Sequence, residues 1–335
     1  MGVAPDLVAA SLSTNSWNRH RSAINCVHHF ANLSKNPVRW PMDTAYLREF
    51  TRWALSVKKL SPQTVSIYLS DLKLAHKLRD LDCNHFDDYF TKAMIKGAGN
   101  LLLYTDIVKK AKFVLTFPLL KLLGHEIAKS EWSVDSKRVI WTACCLAFFG
   151  SFRLGEILCN KDNVFSSENL TWENVRFFDT HAVVNIRFPK TMRGNKGDFV
   201  DIFPFSGCCL LEGLKSLAKH KPSFVAKNLP VFTFDNGKYL TNDQFTSTIK
   251  ALLKNHIGVN ANFITGHSFR AGIPAALSNI PNLATDDDIK RWGRWSSSSY
   301  QVYTRLKLNA RQAIFTKISS AFTSQVSHQS STRRR

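Results

Sequence analysis

HAVVNIRFPKTMRGNKGDFVDIFPF, residues 181–205, is the stretch that decides the fold. HAVVNIRF and DFVDIFPF are rich in β-branched and aromatic residues at alternating positions. The Pro and two glycines of PKTMRGNKG between them suit a hairpin with a loose loop. The flanks read as helix. Upstream, from TFPLLKLLGHEIAKSEWSVDSKR onward, SKRVIWTACCLAFFG is apolar on all sides and predicts a buried helix that runs into SFRLGEIL. Downstream, helical spacing returns near 207–219, 241–255 and from about 267. The chain is therefore expected to be mainly α with a small β-sheet, an α+β arrangement.

The first third is helical throughout. Trp17, Ile24, Val27 and Ala31 recur at helical spacing, and Asp43 is placed to cap a segment with Leu47, Phe50 and Ala54 on one face. Ser61 followed by Pro62 opens a third helix carrying Val65, Leu69, Leu72 and Ala75, with Lys73 and Lys77 on another face. Apolar segments around 85–97 and 101–113 complete a small bundle. The expected boundaries are a helical domain over 1–113, a second domain over 114–322 and a polar, basic tail over 323–335. Internal repeats are absent from the sequence.

Composition narrows the partner. The 335 residues include 45 Lys and Arg against 25 Asp and Glu, a net charge of +20 and a pI near 9.8. The excess is distributed, at +7 over residues 1–113 (16 basic, 9 acidic) and +13 over the remainder (29 basic, 16 acidic). Both parts are thus expected to face a polyanion, since cations that neutralise phosphates release condensed counterions. Against a membrane partner, the longest apolar run, VIWTACCLAFFG, is about half the length needed to span. The N-terminus has no basic stretch followed by an apolar one, so a secretory signal is not expected. Seven cysteines without a C-x-x-C spacing argue against a zinc ribbon or redox motif and for reduced thiols in an intracellular protein.

Three constellations can carry chemistry. In GHSFRAG, His267 and Arg270 are three apart and share a helical face, where a cation and a proton acceptor suit a phosphate. In FFGSFRLGEIL, Arg153 follows an apolar helix and a Gly150-Ser151 break, with Glu156 three residues on to hold it. Lys190 lies at the edge of the hairpin loop. Taken singly, each has a plainer reading: a capping histidine beside a surface arginine, a helix-end arginine paired locally, a solvated lysine.

Read in order, Arg, hairpin Lys, H-x-x-R, G-x-W and Tyr resemble the catalytic domain of the tyrosine recombinases, the λ-integrase-like DNA strand-exchange enzymes. The resemblance covers about residues 115–306, and the helices from about 13 to 112 look like that family's core-binding domain. FFGSFRLGEIL and GRWSS are most similar to recombinases of eukaryotic mobile elements of the crypton and DIRS type. The resemblance implies double-stranded DNA as partner, contacted in part by Lys73 and Lys77. It also implies a homotetramer on DNA assembled by exchange of the C-terminal helix, with no metal or other cofactor. In a eukaryote the location would be the nucleus, and otherwise inside the cell with DNA.

The resemblance also implies roles. Arg153 and Arg270 would grip the non-bridging oxygens of the scissile phosphate, with Glu156 in support. His267 would assist proton transfer, Lys190 would protonate the leaving 5′-oxygen, and Tyr303 would attack to give a 3′-phosphotyrosyl intermediate. One position departs from the pattern: Arg294 stands directly after Gly293, where the family has His or Trp, and Trp295 follows it. Either Arg294 donates to the phosphate or Trp295 packs in; the Gly293-to-Tyr303 spacing of ten favours Arg294. Tyr300, one turn earlier, is then a packing residue. Two other readings remain, a type IB topoisomerase-like enzyme and a domesticated DNA-binding protein without catalysis.

Overall fold

The computed structural model describes residues 11–12, 14–101, 113–160, 164–165, 169–187, 198–205, 210–254, 260–279 and 284–295. The chain divides into two compact units, Met1–Lys110 and Ala111–Arg335.

The first unit is a helical bundle of α1 (Thr14–Ser34), α2 (Thr44–Ser56), α3 (Pro62–Lys77) and α4 (Tyr89–Leu101). The expected caps form. The Asp43 carboxylate accepts from the Tyr46 N–H at 2.7 Å, and the Ser61 hydroxyl accepts from the Thr64 N–H at 3.0 Å with Pro62 in the first turn. Each satisfies a donor that the helix itself leaves unpaired. Val27, Leu47, Phe50, Val65 and Leu72, from the apolar faces that the periodicity predicts, form the core together with Phe30. The segment expected at 101–113 lies mostly outside the described residues.

His76 closes this core from below α3. The Met42 N–H donates to its Nε2 at 2.9 Å and its Nδ1 lies 2.8 Å from the Leu72 carbonyl, which fits a neutral ring protonated at Nδ1. Burial pushes the imidazole below the ordinary histidine range, against a smaller upward pull from the Leu72 carbonyl. The unfolded chain therefore takes up the proton first as pH falls. The stabilisation from His76 is complete above the unfolded value of about 6.5 and declines as pH falls towards the folded one. The denaturation midpoint of this unit is expected to drop between pH 7 and pH 5, and less so in His76→Gln. Equal drops in the two proteins would remove His76 as the cause.

The second unit is built on α6 (Val134–Phe149), whose residues Ala143 to Phe148 are all buried. Around it pack α5 (Phe117–Lys129), the short α7 (Leu154–Ile157), α8 (Leu210–His220), α10 (Gly266–Arg270) and α11 (Gly272–Asn279), with α9 (Asn242–Leu253) against α5 and α12 (Asp286–Trp292) against α11. The hairpin is present as β2 (Ala182–Ile186) and β3 (Asp198–Ile202), antiparallel with Ala182 opposite Ile202 and Ile186 opposite Asp198. A third strand, β1 (Val175–Phe177), pairs with β2 and gives the sheet order β1-β2-β3. Sequence patterning missed β1 because three residues are too few to show alternation. Ala182, Val184 and Ile186 turn into the core, which places Asp198, across from Ile186, on the same inner face.

Cys144, Cys145 and Cys159 are buried, and Cys26 and Cys83 are half-buried. Among the described residues no helix is long and apolar enough to cross a membrane, and no cluster of His, Cys, Asp or Glu could hold a metal ion.

Candidate active site

The site begins where α6 ends. Gly150 terminates the helix and Ser151 takes a left-handed backbone, φ 48°, which swings the chain away and leaves the Ser151 carbonyl facing across the fold. Arg153 then occupies the N-cap of α7, and Glu156 reaches back to it twice. One carboxylate oxygen accepts from the Arg153 backbone N–H at 2.9 Å and the other from Arg153 Nη1 at 2.6 Å. The guanidinium–carboxylate pairing is thus single, with the backbone supplying the second bond. Glu156 is buried and acts as the hub of the cluster.

The second arginine arrives on α10. Gly266 permits this approach, because a Cβ there would lie 2.7 Å from Leu154 Cγ. Arg270 is 2% exposed and extends through the core: Nη1 donates to the Ser151 carbonyl at 2.5 Å and Nη2 to the Gly293 carbonyl, while Glu156 Oε2 stands 3.9 Å from Nη1. A guanidinium in such a place needs both oxygen acceptors and a countercharge. His267, a turn earlier on the same helix, is exposed. The two residues share a helix without sharing an environment.

Arg294 supplies a third guanidinium. It follows α12 in a left-handed conformation, φ 53°, that an arginine rarely adopts. Its Nη2 donates to Glu156 Oε2 at 3.1 Å and to the Ser151 carbonyl at 3.2 Å, its Nη1 lies 3.4 Å from Asp198 Oδ2, and its guanidinium covers the Phe152 ring at 4.6 Å. Trp295 folds back so closely over Gly293 that a Cβ there would meet the indole at 1.7 Å, and its ring lies 5.2 Å from the Arg270 guanidinium. Arg294 enters the charge cluster and Trp295 packs on Arg270.

Three arginines and two carboxylates meet here. Burial alone would raise the Glu156 carboxyl, but Arg294, the Arg153 N–H, and the Arg153 and Arg270 charges outweigh it and hold the group below the usual range. Asp198 shifts the other way: burial raises it, Arg294 opposes, and Glu156 raises it again. Asp198, Ser151 and Phe152 escaped sequence reading. Asp198 had one available signal, its position as the first residue of a strand after a loop with Lys190 and Lys196.

Lys190, Tyr300 and Tyr303 lie outside the described residues. In the first unit Lys77 is exposed, whereas Lys73 is bound to Asp87 at 2.7 Å. Asp87 also holds Lys92 at 2.9 Å, and the two lysines lower its carboxyl to about 2.

Comparison by sequence found no matching family model and no matching curated protein. Comparison of structures found clear relatives. The XerH site-specific recombinase bound to its palindromic difH substrate in a post-cleavage complex is similar with a TM-score of 0.59 and 16% identity, over 89% of this chain and 78% of that one. The Tn1549 transposon integrase in complex with transposon right end DNA gives 0.59 and 16%, over 92% and 95%. The λ integrase is similar as a dimer bound to a COC′ core site, at 0.52 and 11% over 90% and 74%, and as a tetramer bound to a Holliday junction, at 0.50 and 13% over 88% and 76%. A mostly helical chain with a three-stranded antiparallel sheet beneath an arginine cluster thus has the tyrosine recombinase fold.

Proposed function

We propose that the protein is a site-specific DNA recombinase that cuts and rejoins DNA through a 3′-phosphotyrosyl intermediate. The observation that carries this reading is the convergence of Arg153, Arg270 and Arg294, from three separate elements, on Glu156 and the Ser151 carbonyl. Cations fixed in advance are what a phosphodiester needs, because its transition state spreads charge over the non-bridging oxygens. Arg153 and Arg270 are assigned to those oxygens, with Arg294 as a third donor and Glu156 holding the set. Trp295 covers Arg270. His267 assists proton transfer.

The tyrosine hydroxyl is a poor nucleophile until nearby cations favour its anion. In the reaction Tyr303 Oη forms a bond to phosphorus, the bond to the 5′-oxygen breaks, and Lys190 gives that oxygen a proton. The 5′-hydroxyl of a new partner strand reverses the step, so the bond energy is kept and no cofactor is consumed. We assign DNA contact in the first unit to Lys77 and, on release from Asp87, to Lys73. Four subunits exchanging C-terminal helices would couple cleavage to synapsis. The motif resemblance to eukaryotic mobile-element recombinases would put the enzyme in the nucleus.

A duplex nicked just beside the cleavage position loses its short 5′-hydroxyl strand by diffusion and so traps the covalent intermediate. Incubation of the protein with such substrates is expected to give a protease-sensitive, denaturant-resistant adduct at the 3′ phosphate end that the break leaves. Strand exchange between two duplexes then separates a recombinase from a topoisomerase-like enzyme. No adduct on any site drawn from DNA that the protein binds would leave a non-catalytic DNA-binding protein.

A further inference from the structure

Arg294 is bound unevenly. Its Nη2 has two close acceptors, whereas its Nη1 makes no hydrogen bond of ordinary geometry among the described residues and meets Asp198 Oδ2 at 3.4 Å. Asp198 is itself 19% exposed, the more open of the two carboxylates in the cluster. Glu156 differs in kind, since both of its oxygens are already engaged by Arg153 and Arg294. An anion that reached this edge of the cluster could replace Asp198 without disturbing Glu156.

We propose that Asp198 is a positioning residue that stands in for a phosphate oxygen at Arg294 in the DNA-free protein and gives way to the scissile phosphate when DNA binds. The proposal rests on reading the cluster as a phosphodiester site. A carboxylate oxygen and a phosphate oxygen offer a guanidinium the same acceptor, so one can hold the fork in place for the other. Position on the chain adds a second consequence: Asp198 is the first residue of β3, directly after the loop that carries Lys190 and Lys196. Its tie to Arg294 anchors the root of that loop to the arginines.

Energetics agree with a residue retained for function. Burial raises the Asp198 carboxyl above the ordinary range, with Arg294 and Arg270 opposing and Glu156 reinforcing. A group raised in the folded state stabilises below its unfolded value and loses that contribution as pH rises through the folded one. At neutral pH the fold gains nothing from this charge.

Sulfate is the probe, since its charge is constant across the pH range of interest, and the Trp295 indole N–H resonance reports binding beside Arg270. D198N is expected to bind sulfate about tenfold more tightly than the parent, the gain from removing one adjacent like charge. In an R294Q background the same substitution should gain much less, because the competition is chiefly for Arg294. The parent's affinity should rise more steeply than that of D198N as pH falls towards the carboxylate range, a difference that a merely structural role for Asp198 would not produce. Equal or weaker sulfate binding by D198N, or an equal gain with R294Q, overturns the proposal. Adduct formation by the parent on nicked DNA tests the underlying reading separately. An active parent with an indifferent D198N would sink only the Asp198 role, and an inactive parent would sink the recombinase reading while the sulfate titration still decides the exchange at Arg294.

Discussion

In the Tyr303→Phe protein the covalent adduct with DNA disappears, while the fold and the affinity for duplex stay close to those of the parent. The substitution removes one oxygen, which in the proposed reaction is the atom that bonds to phosphorus. Tyr300→Phe is the matched control and should form adduct at the parental rate. The assignment depends on counting: Tyr303 stands ten residues beyond Gly293, whose carbonyl binds Arg270 and whose Cα lies under Trp295. Ten residues is the spacing from this glycine to the nucleophile in the recombinases that the motifs resemble. Adduct formation by Tyr303→Phe, with loss in Tyr300→Phe, would show the register to be off by one helical turn.

The second large effect is on stability. Glu156→Ala removes the hub and leaves Arg153, Arg270 and Arg294 facing one another with only Asp198 to offset them. Breaking a buried ion pair by deleting one partner costs about 3–5 kcal/mol, because the remaining charge is left uncompensated. Denaturant unfolding of the second unit should show a loss of that order, and cleavage should vanish with it. Glu156→Gln keeps the shape and should lose less stability. The same group sets an acid limit. Its carboxyl is depressed in the folded state, so its contribution is complete above the unfolded value of about 4.3 and is lost as pH falls through the lower folded one. If Glu156→Ala unfolds like the parent at pH 7, the cluster is not held together by this carboxylate.

Much of this was legible in the residues. Asp43 and Ser61 announced their helices because capping is local chemistry, and the hairpin showed in its alternation and its glycine-rich loop. Arg153 and Glu156 were legible as a pair because three residues separate them. Arg270 was harder. As one member of H-x-x-R it reads as a surface cation, and its 2% exposure follows from acceptors at Ser151 and Gly293 that no local pattern announces. Asp198 offered only its place at the start of a strand, since its partner is nearly a hundred positions away and the strand register had to be known first. Spacing favoured Arg294, and what it did not announce is the left-handed turn at Arg294 that also brings Trp295 against Arg270.

The Ser151 carbonyl meets Arg270 across 119 residues and Arg294 across 143. During synthesis this sets an order of events. A ribosome adding residues from the N-terminus delivers Ser151, Arg153 and Glu156 long before Arg294, and Tyr303 only after that. On the proposed reading, a nascent chain could touch DNA through its first unit but could not break a strand until the last of these has left the exit tunnel.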